Sequence, residues 1–164
     1  MNGNDIRRDQ WMLKGPLASK GYDWWWHSFT AEKEDTGERK PFYVEFFTCN
    51  PAHAEDEPVI VWNDKQKQDA GILPSYLMVN VGYWGENHGQ LHRFFSLKDA
   101  EIDGGVPFEI KAADCFCSER YTEGSISISE ADVQEHPEWM CDAGEVSWKL
   151  KIYKDIAFNV GYGA

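Results

Sequence analysis

Glu45 is a carboxylate set inside a strand-like run, between Val44 and Phe46 of KPFYVEFFTC. Upstream, in GYDWWWHSFT, Trp24, Trp25 and Trp26 run straight into His27. Carboxyl and imidazole are the side chains best suited to moving protons near neutral pH. A buried carboxyl keeps its proton to higher pH and can act as a general acid. Histidine titrates near neutrality without help. Glu45 and His27 are therefore the candidate catalytic residues. Each also has a plainer reading. Glu45 on an exposed edge strand would do nothing, and a histidine in an aromatic strand is commonly a hydrogen-bonded core residue.

Other constellations carry less. His88 and His92 are four apart in ENHGQLHR, a spacing that on a helix would bring both to one metal. Gly89 and the strand-like residues after it argue against a helix, and a solvated loop is the plainer reading. Cys115 and Cys117 flank one residue, which is not a zinc-knuckle spacing. With Cys49 and Cys141 they read as free thiols, the close pair as small buried hydrophobes. There is no Gly-rich phosphate loop, no G-x-S-x-G elbow and no Walker-type lysine. The chain implies no cofactor and no metal.

The elements that must position Glu45 and His27 read as strands. The two aromatic runs flank the polar stretch AEKEDTGER, which contains Thr36-Gly37, and together they signal a hairpin. If Thr36-Gly37 is a two-residue loop, Asp35 faces Glu38. His27 then lies opposite Phe46, Phe29 opposite Val44 and Trp25 opposite Thr48. Side chains alternate along a strand, so Trp24, Trp26 and Ser28 share the other face with Phe47, Glu45 and Tyr43. That second face mixes rings with a few polar groups, as a ligand pocket does.

Residues 50–75 are loop-like, with a short strand signal at PVIVW, and read as a lid over a site or a local excursion. Further strand signals are SYLMVNVGYW, LHRFFSL, VPFEIKA, DCFCSERY, SISIS, EVSWKLKIY and DIAFNVGYG. Gly104-Gly105 reads as a turn. SEADVQEHPEW is the one helix signal, capped by Ser129 and ended by Pro137. This pattern predicts an all-β, antiparallel lipocalin-like barrel or sandwich with one short helix. Residues 1–20 read as an irregular lead-in that packs Trp11 against a β-domain over 21–164.

The 164 residues carry a net charge of −12 and an aromatic share of 15%. Nucleic acid is an unlikely partner for so acidic a chain, because phosphate binding needs a basic stripe. No apolar run reaches the roughly 18 residues needed to span a bilayer. The first residues lack the apolar core of a secretory signal. The sequence reading is cytoplasmic.

Three segments together resemble a known family: GYDWWWHSFTAEKEDTGERKPFYVEFF, PSYLMVNVGYWGENHGQLHRFF and HPEWMCDAGEVSWKLKIYKDIAFNVGYG. In order and spacing they look like the tocopherol cyclase-like family, itself similar to lipocalin-like carotenoid hydratases and Diels-Alderases. The resemblance implies a hydrophobic, prenylated or lipid-like ligand, and an isomerase, cyclase or hydratase that protonates an alkene. Indole faces would steer the cation. Trp24, Trp26, Tyr43, Phe47, Tyr83, Trp84 and Trp148 would line the site, and His27 or Glu45 would handle protons. Relatives run to about twice this length, so the chain reads as an N-terminal half whose missing β-domain, or a second copy, would cover an open surface. Two other functions stay open: a non-catalytic carrier of a hydrophobic ligand, and a carbohydrate-binding β-sandwich module.

Overall fold

The structure, a computed structural model, describes residues 10–105 and 107–153. The strand signal at 155–163 lies outside them. Among the described residues, nine strands form two antiparallel sheets. The first holds β1 (Tyr22–Glu32), β2 (Arg39–Cys49), β3 (Tyr76–Tyr83) and β4 (Gly89–Phe95) in chain order. The second holds β5 (Glu101–Asp103), β6 (Glu109–Ala112), β7 (Cys115–Ser118), β8 (Tyr121–Ile128) and β9 (Gly144–Lys151), also in chain order. The described strands make a sandwich of two meanders, not a closed barrel.

The first hairpin has the expected faces and a different turn. Lys33 N–H donates to the Glu38 carbonyl at 2.8 Å, and Gly37, at φ +69°, donates back to Lys33. The loop is therefore four residues, 34–37, with glycine taking the left-handed position. This moves the register by two. His27 lies opposite Val44, Trp25 opposite Phe46 and Phe29 opposite Phe42, which corrects all three expected pairs. A shift of two residues leaves each side chain on its own face, so Trp24, Trp26 and Ser28 still face Phe47, Glu45 and Tyr43.

The inner face of the first sheet carries Trp25, Val44, Phe46, Leu77, Val79, Val81 and Leu91. These pack on Ile110, Ala112, Cys115, Cys117, Ile126 and Trp148 of the second sheet and on Phe108, just before β6. Trp11 closes one end, stacked on Trp25 with centroids 5.8 Å apart, as the lead-in was expected to do. A second, smaller core lies on the outer face of the first sheet. There the excursion after β2 lays Ile60 and Trp62 over Tyr76, Met78 and Phe94. That excursion also holds a short helix, Lys65–Asp69, that the polar sequence NDKQKQD did not reveal. The helix signal after β8 appears as Glu130–Glu135 with a full capping box between Ser129 and Asp132. No helix among the described residues is long and apolar enough to cross a membrane.

Candidate functional site

The outer face of the first sheet gathers six of the expected site residues. Register sets Trp26, Glu45, Asn80 and His92 in one row across the four strands. Trp24, Phe47, Met78 and Phe94 form the row on one side, and Ser28, Tyr43, Gly82 and Gln90 the row on the other.

Tyr43 lies flat across β3 because Gly82 leaves room. A Cβ at Gly82 would stand 2.5 Å from the Tyr43 hydroxyl. The phenol is stacked under Trp26 at 4.5 Å and lies 4.9 Å from Trp84, with its hydroxyl 3.4 Å from Gln90 Oε1. Burial pushes its pKa up. Tyr22 stacks on Trp24 at 5.6 Å and on Phe47 at 5.9 Å. Trp24, Trp26 and Trp84 remain 50%, 42% and 43% exposed.

Glu45 is part-buried in this aromatic surround. Burial raises its pKa, and the hydrogen bond from Asn80 Nδ2 to its Oε2, at 3.1 Å, works against that rise. The carboxyl is thus poised closer to neutrality than an exposed one, as an acid needs.

His27 lies on the opposite face. It points between the sheets, with Nε2 3.5 Å from the Cys117 thiol. The structure therefore does not bring His27 and Glu45 together. Trp148 is also apart from the aromatic face. It is 8% exposed in the inter-sheet core and donates its indole N–H to Thr122 at 3.0 Å. Its ring lies against Gly124, its cross-strand partner, where a Cβ would approach to 2.6 Å.

His92 corrects the reading of a solvated loop. It sits in β4, 5% exposed, with Nδ1 2.6 Å from the Trp139 carbonyl. Burial lowers its pKa. His88 stays exposed, and the described residues contain no group of three or more metal-ligating side chains. The cysteines are free thiols; burial pushes Cys49 and Cys115 each up to about 11, far from reactive thiolates.

A separate concavity opens between the sheets. It forms where the start of β9 meets the start of β4 and the end of β3. The cleft has a volume of about 310 Å³. Phe42, Val81, Tyr83, Leu91 and Val146 line it, and His88, Gln90, Asp142 and Glu145 stand around it. Asp142 fixes that wall: its carboxylate accepts from Gln90 N–H at 2.8 Å, and its own N–H donates to Gln90 O at 2.9 Å. Of the expected ligand residues only Tyr83 is here, with Lys40 Nζ 4.4 Å from its ring centre. Sequence reasoning missed Phe42, Leu91 and Val146, which are far apart in the chain and meet only through sheet packing. It also missed Asn80, although a lone amide in the apolar run SYLMVNVGYW was a usable signal.

Fold and site define an all-β protein whose described residues form two sheets, an inter-sheet cleft and an open aromatic face. No protein-family model, curated protein or solved structure matches the chain.

Proposed function

We propose that the chain binds a hydrophobic small molecule in the inter-sheet cleft. The observation that carries this reading is the cleft itself: about 310 Å³, apolar on its inner walls and ringed by a few polar groups. Ligand sites commonly begin near ~300 Å³ and combine those two features. The resemblance to tocopherol cyclase-like proteins points to the same ligand class. Binding without turnover is the form we favour. The two proton-moving candidates sit on opposite faces of one hairpin, His27 against Cys117 and Glu45 outside.

The test uses Nile red, a neutral apolar dye, together with native mass spectrometry of the purified chain for a copurified lipid. Val146→Trp fills the cleft from the β9 side. The expected result is dye binding by the wild type and at least a roughly tenfold loss in the variant, about 1.4 kcal/mol. A wild-type chain that carries nothing and binds no dye ends the proposal. So does a folded Val146→Trp chain that binds as well as wild type.

A further inference from the structure

We infer that the outer face of the first sheet is a second ligand site, built for an organic ammonium ion with an apolar or flat body. It uses Trp26, Glu45, Asn80 and His92, none of which lines the cleft.

The inference starts from hydrogen-bond accounting. Asn80 spends one amide N–H on Glu45, and its Oδ1 is left buried without a partner. The Trp139 carbonyl can only accept, so His92 carries its proton on Nδ1. In the neutral ring Nε2 is then a lone pair, and it too is buried without a partner. Asn80 and His92 are 7% and 5% exposed. An unmet buried polar group costs about 1–3 kcal/mol. The row Glu45, Asn80, His92 thus holds two buried acceptor atoms with no donor, Asn80 Oδ1 and His92 Nε2.

The face supplies no cation of its own to that row. The four strands place no lysine on it, and their single arginine there, Arg39, is held 2.8 Å from Glu32 at the far end of the hairpin. Asp142 adds a further negative charge whose field reaches both Tyr43 and His92. Above the row stand the indoles of Trp26 and Trp84, more than two-fifths exposed. An indole face attracts a cation. An anion would be repelled here, and a purely apolar body would leave the acceptors unmet. A primary ammonium answers both conditions. It seats on the Trp26 face, donates to Glu45 at the open end of the row, and turns a remaining N–H toward Asn80 Oδ1.

The test needs no natural ligand. Purified chain is titrated with 2-phenylethylammonium, with 2-phenylethanol as its neutral counterpart, with 3-phenylpropionate as the anion, and with methyl glucoside as a neutral polyol. Indole fluorescence reports affinity, and NMR reports which residues move. The amine is expected to bind about tenfold tighter than the alcohol and to shift Trp26 and His92 signals, while the anion does not bind. Glu45→Gln keeps the side chain's shape and should erase the preference for the amine. Equal binding of amine and alcohol overturns the proposal, as does stronger binding of the glucoside. Amine shifts confined to Tyr83, Leu91 and Val146 also overturn it, since they place the cation in the cleft. The cleft reading stands or falls separately on Nile red and Val146→Trp. The amine-to-alcohol ratio in wild type tests the idea even if Glu45→Gln does not fold.

Discussion

Gly82→Ala tests whether this glycine exists to let Tyr43 lie across the sheet. A Cβ there would stand 2.5 Å from the Tyr43 hydroxyl, and 2.7 Å from both Tyr43 Cζ and the Gly89 carbonyl oxygen. Comfortable contacts begin near about 3.5 Å, so something must move by roughly 1 Å. The Gly89 carbonyl belongs to the β3–β4 pairing, and the phenol is the freer partner. Its retreat would break the 3.4 Å contact with Gln90 and pull the ring away from Trp26 and Trp84. Overpacking costs about 1–3 kcal/mol and each aromatic pair is worth about 0.5–1.5 kcal/mol. These overlap in part, which puts the loss at about 2–4 kcal/mol. Urea unfolding of wild type, Gly82→Ala, Tyr43→Ala and the double variant measures it, with near-ultraviolet circular dichroism as a check on the aromatic cluster. A coupling of about 1–2 kcal/mol between the two positions is expected. If Gly82→Ala costs the same with and without the Tyr43 ring, the glycine serves the backbone alone and the reasoning about Tyr43 fails.

Four further outcomes follow from the packing and the titrating groups. His92 has its folded pKa lowered by burial, so the unfolded chain takes the proton first. Its contribution to stability is whole above the ordinary histidine range and is lost as pH falls through the folded value; a urea series from about pH 7.5 to 5 should show an acid-side loss that His92→Gln lacks. Glu45 has its folded pKa raised, again by burial. Its contribution is whole below the ordinary glutamate value and lost as pH rises through the folded one, so Glu45→Gln should flatten stability on that side, read by a urea series carried down to about pH 4. Trp11→Ala removes a ring 8% exposed and stacked on Trp25, and should cost about 3–5 kcal/mol in thermal or urea unfolding. Ser129→Ala removes the capping box of the Glu130–Glu135 helix and should cost about 1 kcal/mol, with no change in ligand titrations.

The fold was legible where a period of two is strict. Alternation placed Trp24 and Trp26 on one face and Trp25 and His27 on the other, and both hold although the register is off by two. Register depends on the turn, and Thr36-Gly37 suggested a shorter loop than the four residues that close the hairpin. The strand Glu101–Asp103 left no signal, because three residues are too few to show a period. Trp148 lies on the inward-facing side of β9. Alternation says that it faces in, but not that a second sheet covers it, so a buried core ring reads like a pocket wall. His92 stands four residues from His88 but lies in a strand, not a helix. Spacing to His88 asks about metals, whereas alternation with Phe94 in β4 would have put it on the aromatic face. The cleft was beyond the sequence altogether, since its walls come from residues as distant as Phe42 and Val146.

Glu45 owes its position to how unevenly the outer face is covered. Over Tyr76, Met78 and Phe94 the face is covered by Ile60 and Trp62 of the excursion and by Trp139, while Gln90 at the start of β4 stays exposed. Over β1 it is bare, and Tyr22, Trp24 and Trp26 stand in the open. Scattered exposed apolar residues need no explanation, but a contiguous patch marks a surface with a use. The polar row crosses the border between the two halves. His92 lies at its covered end, its pKa lowered by burial, and Trp26 at its exposed end. Glu45 stands between them, buried enough for its proton affinity to rise and open enough to be reached. On the inner face His27 has the imidazole chemistry but points between two packed sheets at Cys117. Within one hairpin, alternation alone decides which of the two titrating groups can meet a ligand, and it selects the carboxyl.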